Sequence, residues 1–480
     1  MNIDYSKKWF VMSATAAGIF LSTIDGSIVN IALNTLVDSL HEPLAVIEWV
    51  VLAYLLVNAT LMLSIGRLAD MIGKKKIFIG GMATFTLGSV LCGLSPNVTM
   101  LISSRVVQAI GAAMMMAVGM AITTECFPPQ ERGKALGING IFVSIGVITG
   151  PTVGGIILQY LSWHWLFFVN VPVGIIGIIL ALLFIPDIKP QGKEKFDFMG
   201  AGTMFVCLIS FLMALSIIQT EGFKNWIIYV LLIISVVMGV LFIRTEKRAP
   251  QPMIDLHLFE NSLFSINLAT GLLIFVASAG VTLLIPLYFQ NVMGFDPQKT
   301  GLLMIISPIA MALAAPISGS LSDRIGSRKL TTIGLSVALF GYLFYILFSS
   351  TSSILLYVVA FLLTGTGMGI FQSPNNSAVM GSAPKSRLGV ASGLLSLTRT
   401  LGQTVGISIL GALWEANVFH FAGNVLAADA TQAPISAQVS GLHVAMMFAA
   451  VIIVAALCLS AWALITVTRN KRNGESESQS

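Results

Sequence analysis

Gly66-Arg67-Leu68-Ala69-Asp70-Met71-Ile72-Gly73 in the first half of the chain returns in the second as Gly319-Ser320-Leu321-Ser322-Asp323-Arg324-Ile325-Gly326. Each copy closes an apolar run and leads into basic residues, Lys74, Lys75 and Lys76 in one case and Arg328 and Lys329 in the other. Glycines at the two ends permit a tight reversal. The aspartate carries a charge suited to the N-terminus of a neighbouring helix. One short, basic, Asp-bearing loop used twice marks a chain built as a parallel internal repeat.

What surrounds the two loops fixes the solvent. Of the 480 residues, 56% are hydrophobic and only 10% charged, whereas a soluble globular protein is roughly a quarter charged. A bilayer core needs about 20 apolar residues per helical span, and fourteen segments of that length follow one another. Only helices and closed barrels satisfy their backbone in lipid, and the runs are too long for barrel strands. The expectation is an all-α integral membrane protein. Parallel repeats of this kind build transporter folds whose site lies between the halves near the midplane. Eight spans separate the two loops rather than six, so two helices, near residues 198–218 and 226–243, are added between the halves. The domains expected are a six-helix bundle over 1–190, the two added helices over 191–250, a second six-helix bundle over 251–470, and a disordered tail over 471–480.

Charge distribution sets the orientation. Every Lys and Arg except Lys224, Lys299, Arg105 and Arg399 falls in one alternating set of segments, which the positive-inside rule assigns to the cytoplasm together with both termini. The net charge of +5 is therefore topological and implies no nucleic acid. The run after Lys7 and Lys8 is too long for a signal peptide and no cleavage site follows it; it reads as the first span. Cys92, Cys126, Cys207 and Cys458 lie in or beside apolar segments, without metal-ligand spacing. No nucleotide-binding Gly-x-x-x-x-Gly-Lys-[Ser/Thr] occurs, nor a nucleophile elbow, nor clustered His, Asp and Glu near one membrane face. Neither an enzyme nor a cofactor or metal is expected.

Ionisable groups within a span are functional candidates by default. Asp25, in Ile24-Asp25-Gly26-Ser27-Ile28-Val29-Asn30, sits halfway along its apolar run; Glu48, Glu125 and Glu415 lie near span ends. Asn30 and Asn34 follow on the same run. Arg105, in Leu101-x-x-x-Arg105-x-x-Gln108-Ala109, and Arg399, in Arg399-x-x-Gly402-x-x-x-Gly406, face the same cost of a buried guanidinium. In Gly146-Val-Ile-Thr-Gly150-Pro151-Thr-Val-Gly154-Gly155, glycines four apart make a smooth face for close helix approach, and Pro151 removes a backbone hydrogen bond.

Taken together and in this order, these stretches resemble the major facilitator superfamily, specifically its fourteen-span drug:proton antiporter branch. The resemblance covers nearly the whole chain, and Pro286-Leu287-Tyr288-Phe289-Gln290 and Ser162-Trp163-His164-Trp165 extend it. It departs at Met71, where the family has Arg, at Ala109, where Gly is usual, and at His164, where Arg is common. The resemblance implies that Asp25, Arg105 and Arg399 couple protons to conformation. It implies that Gly66, Asp70, Gly73, Lys74, Asp323, Arg324 and Gly326 form a gate at the cytoplasmic loops. It also implies that Gly146, Gly150, Pro151, Gly154 and Gly155 are the antiporter motif typical of exporters. The function expected is proton-driven export of small apolar or cationic drug-like compounds from the cell membrane. Protonation of Asp25 and substrate binding are expected to compete for one cavity. Met114, Met115 and Met116 have the adaptable side chains of a cavity lining, with plain core filling the favoured reading. Export of one endogenous metabolite is the alternative, and uptake by symport is disfavoured by the Gly-Pro motif. No partner protein is implied.

The added helices give the first test. Lys189, Lys193 and Lys195 before them and Arg244, Lys247 and Arg248 after them belong on one side, so an even number of crossings separates these flanks. A cysteine placed at Glu221 in a background lacking the four native cysteines is expected to react with a membrane-impermeant thiol reagent in intact cells. Labelling only after lysis would show that this pair does not cross.

Overall fold

The computed structural model describes residues 5–42, 44–47, 49–187, 196–221, 225–249, 252, 254, 256–422 and 430–477. Among them, thirteen helices are long and apolar enough to cross a membrane, and the 29-residue helix Arg132–Tyr160 is a fourteenth of sufficient length. In chain order these are α1 (Lys8–Ile28), α2 (Trp49–Ile72), α3 (Lys74–Gly93), α4 (Val98–Cys126), α5 (Arg132–Tyr160), α6 (Asn170–Phe184, which with the turn Trp165–Phe168 before it makes one span) and α7 (Phe198–Glu221). They continue as α8 (Trp226–Arg248), α9 (Ser262–Leu287), α10 (Ile306–Ile325), α11 (Ser327–Ile346), α12 (Ile354–Ser382), α13 (Leu388–Ala422) and α14 (Ile435–Glu477).

The duplicated loop makes the same reversal twice. Gly73 joins α2 to α3 at φ +105° and Gly326 joins α10 to α11 at φ +90°, a region L side chains rarely adopt. On the opposite side, side chains open the helices that follow next: Asn97 accepts from Met100 N at 2.9 Å at the start of α4, and Ser353 accepts from Leu356 N at 3.4 Å at the start of α12.

Helices α1–α6 pack into one bundle and α9–α14 into a second, while α7 and α8 pair with each other, with α7 also lying against α2 and α13. The added pair is peripheral. Only 17% of the apolar window of α8 is buried, and Ile233, Val236 and Val237 are exposed, which in a bilayer turns them to lipid. Helix α14 runs on to Glu477, into the stretch expected as a tail from residue 471. Extending an existing helix adds a hydrogen bond per residue without a new nucleus.

The bundles meet through α2 against α13 and α5 against α10. Since α2 and α10 carry the two copies of the repeat, α5 and α13 are equivalent partners and the contact has pseudo-two-fold symmetry. All its close approaches lie toward the basic loops. A Cβ on Gly66 would stand 2.5 Å from the carbonyl oxygen of Gly389, and one on Gly319 would strike the carbonyl of Gly133.

The Gly-Pro stretch lies within a bundle, against α1. A Cβ at Gly146 would fall on Thr23 and one at Gly150 on Ser27, while one at Gly154 would meet Ile28 Cγ1 at 2.9 Å. Ser27 Oγ donates across the seam to the carbonyl of Gly146 at 3.2 Å. Gly155 is outside this face, exposed and with nothing within 4 Å. Helix α5 continues through Pro151, whose side chain lies outside the described residues, as do those of Asn30 and Asn34.

Gly150→Leu is therefore expected to wedge α1 from α5 and lower the thermal midpoint of the purified protein, at the ~1–3 kcal/mol typical of overpacking. Gly155→Leu should leave the midpoint unchanged. Equal midpoints for the two variants would refute the close-contact seam.

Candidate functional site

Asp25 and Arg105 form a fully buried ion pair at the centre of the first bundle. Both are 0% exposed. Arg105 Nη1 donates to Asp25 Oδ2 at 2.6 Å and to Gln108 Oε1 at 2.6 Å, while Arg105 Nε donates to the carbonyl of Val50 at 2.9 Å. The guanidinium lies over the ring of Tyr54, 4.2 Å from its centroid. Gln108 Nε2 donates to Asp25 Oδ1 at 2.8 Å and to Ser89 Oγ at 2.8 Å, and Asn170 Nδ2 donates to Asp25 Oδ1 at 3.0 Å. Five helices, α1, α2, α3, α4 and α6, thus supply one network. The carboxylate accepts three hydrogen bonds, from Arg105, Gln108 and Asn170.

Sequence reasoning found the two charges but not their neutral partners. Gln108 follows Arg105 by three residues, which places both on one face of α4; that spacing was the available signal. Asn170 is a polar residue at the start of an apolar run, in a stretch where His164 drew the attention. His164 itself stacks on Trp163 with ring centroids 3.7 Å apart, and partial burial lowers its pKa below the ordinary histidine value.

The second constellation closes the interface at the basic end, twice. Asp70 accepts from Gly389 N at 2.9 Å and Val390 N at 3.1 Å, capping the first turn of α13. Asp323 accepts from Gly133 N at 2.9 Å and Lys134 N at 3.2 Å, capping the first turn of α5. Each aspartate of the repeat therefore ties its own bundle to a helix N-terminus of the other, where negative charge is favoured. Lys74 bridges Asp70 at 3.0 Å and Glu125 at 2.9 Å, filling with an i,i+4 lysine the place that Met71 cannot. Arg324 is exposed.

The third constellation is a cavity between the bundles. Ile19, Met116, Met120, Leu136 and Val143 face Ala315, Gln372, Ser373, Asn376 and Arg399 across it. Of the three methionines only Met116 reaches it: Met115 is buried in the first bundle, and Met114 packs against Gly80 and Gly81. Asp25 does not line it, and this corrects the expectation that proton and substrate compete for one cavity. Ile19 is the α1 residue on the cavity wall; at 3.6 residues per turn, Asp25 lies about 120° around the helix from it. That turn points the carboxylate at α4. Arg105 and Arg399, expected to act alike, are also separated: the first is sealed inside a bundle, the second opens onto the cavity.

A model of the Major Facilitator Superfamily matches residues 15–407. The chain is 34% identical over 415 residues to the riboflavin transporter RibZ of Clostridioides difficile, covering 86% of this chain and 90% of that protein. It is 33% identical over 404 residues to the multidrug resistance protein Stp of Mycobacterium tuberculosis, covering 84% and 75%. The crystal structure of the human organic anion transporter MFSD10 superposes with a TM-score of 0.67 at 12% identity, over 94% of this chain and 99% of that one. The two pseudo-symmetric bundles, the twice-used loop and these matches agree, and the chain belongs to the major facilitator superfamily.

Proposed function

We propose that the protein is a proton-driven exporter of small, largely apolar compounds, working by alternating access in the cell membrane with both termini in the cytoplasm. The observation that carries the reading is the position of Asp25 on α1. Its carboxylate faces Arg105 of α4, while Thr23 and Ser27, about 160° away around the helix, face the glycines of α5. One helix is held on one side by a titratable ion pair and on the other by a seam that any displacement must cross.

The coupling then follows from charge. Protonating Asp25 removes the anion opposite a buried guanidinium, and breaking such a pair costs about 3–5 kcal/mol. Arg105 keeps only the Val50 carbonyl, Gln108 and the Tyr54 ring, so α1 gains by moving. Through the glycine seam α1 moves α5, whose first turn is held by Asp323 of the other bundle. By the charge rule the latched end is cytoplasmic, so loosening it opens the cavity inward. The cavity as it stands holds only about 30 Å³, so a drug-sized substrate requires the bundles to separate. Relatives named for multidrug resistance support export, as does the Gly-Pro seam. The expected preference for cations is not carried forward, because the charged group on the cavity wall is Arg399.

Asp25→Asn alone strands the Arg105 charge, so the test uses Asp25→Asn together with Arg105→Gln, which removes both charges and keeps hydrogen-bonding groups. In vesicles of reconstituted protein, an imposed proton gradient should drive dye accumulation by the wild type and not by the double variant. Downhill dye exchange should persist in both. Gradient-driven accumulation by the double variant at the wild-type rate would sink the assignment of Asp25 as the coupling group.

A further inference from the structure

Arg399 stands in α13 on the wall of the central cavity and also on a smaller recess beside it, lined by Asn267, Gly271, Phe275, Asn375 and Thr398. Gln372, Asn376 and Met120 are shared by the two spaces, so they form one continuous lining. Among the described residues no Asp or Glu contributes to either wall, and no ion pair or hydrogen bond engages the Arg399 guanidinium. This contrasts with Arg105, whose charge is met by Asp25. A guanidinium at this depth is expensive unless something answers it, and here that answer must enter the cavity from outside the fold.

The uncharged polar atoms around it point the same way. Asn139 Oδ1, Gln372 Oε1 and Asn375 Oδ1 are buried and make no hydrogen bond among the described residues, and all three residues line the cavity or its recess. Buried carbonyl oxygens are costly to leave unpaired, so this lining calls for donors on the ligand as well as for a negative group. The remaining walls are apolar: Ile19, Met116, Leu136, Val143, Leu268 and Phe275.

We infer that this cavity binds amphiphilic organic anions: compounds with an apolar body, N–H or O–H donors, and one carboxylate, phenolate or similar group held by Arg399. The inference rests on the transport reading only in taking the cavity as the seat of the substrate. A permanent cation is disfavoured twice, by repulsion from Arg399 and by leaving that guanidinium unanswered. Arg399 lies on the helix whose first turn Asp70 caps, so an anion drawn to it engages the same helix that closes the interface.

Fluorescein and a rhodamine ester share one xanthene body, the first anionic and the second cationic. Their binding to the purified full-length protein, read by fluorescence anisotropy without any proton gradient, separates recognition from coupling. Fluorescein is expected to bind at least about tenfold more tightly than the rhodamine, the size of one charged hydrogen bond. Arg399→Gln should weaken fluorescein by a similar factor and leave the rhodamine no weaker; Arg399→Lys should restore part of the loss. Gln372→Glu, which sets a carboxylate in the same lining, should reverse the preference, and it carries the test if Arg399→Gln does not fold. Rhodamine binding as tight as fluorescein, binding of neither dye, or fluorescein affinity unchanged in Arg399→Gln would each overturn the inference. Charge-dependent binding of fluorescein without its proton-driven movement into vesicles would uphold the anion site and refute the antiport reading instead.

Discussion

A full charge on each side of a 2.6 Å contact, both groups wholly buried, is the constraint around which the first bundle is arranged. Removing two ions from water costs several kcal/mol per ion even after relaxation. Geometry must recover that cost, and here it takes five helices. Arg105 is met by a carboxylate, a backbone carbonyl, a side-chain amide and an aromatic face, and Asp25 by three donors. Such a pair is weak evidence for stability, because a well-packed apolar pair of equal volume often does as well. On the proposed function, its place at the bundle centre is explained by what protonation would do to it.

The pair matters to the rest of the molecule because of where α1 lies. Helices α1, α5 and α10 form a chain of contacts from the ion pair to the interface. Asp25 holds α1 to α4, the glycines at 146, 150 and 154 hold α1 to α5, and Asp323 holds the first turn of α5 to α10. Glycine at the seam removes the side chains that would otherwise absorb small shifts, since lipid gives no hydrophobic drive between helices and close packing must supply it. The side chains of Thr23, Ser27 and Ile28 seat directly on the backbone of α5, and a seam that close leaves little slack to absorb a displacement. The aspartate caps are the complementary element. They are charge–dipole contacts at helix ends, typically 0.3–1 kcal/mol each and up to ~2 in partly buried settings, weak enough to release within a transport cycle.

Most of this fold could be read before any coordinates, for a physical reason: lipid leaves the chain few options. Span number, the two added helices and the halves related by the repeated loop all follow from apolar length and duplication. Asp25 and Arg105 were each visible as charges that needed a partner. That they are each other's partner was not, because the distance between two spans is not written in either. The face of α1 that carries Asp25 was also misread. A deep carboxylate was placed in the substrate cavity, whereas helical phase turns it into the bundle and leaves Ile19 on the wall. Lys74 standing in for the missing arginine was hidden by the same rule: the i,i+4 spacing to Asp70 was readable, but Glu125, from a different span, completes the site.

Arg105 and Arg399 show how one cost is met in two ways. Arg105 is neutralised from within, so its charge is a fixed part of the bundle whose loss is felt as mechanical change. Arg399 has no such partner among the described residues, so its charge is presented to whatever occupies the space between the bundles. An internal salt bridge at Arg399 would remove the positive potential of the cavity and leave an apolar cleft with little preference among substrates. Leaving it unpaired retains an energetic debt that a ligand of the right charge relieves. On the function proposed here, separating the two sites also means that proton and substrate need not displace each other from one set of atoms: they would act on different helices, α1 and α13, and meet only where those helices bear on the symmetric contact at the basic end.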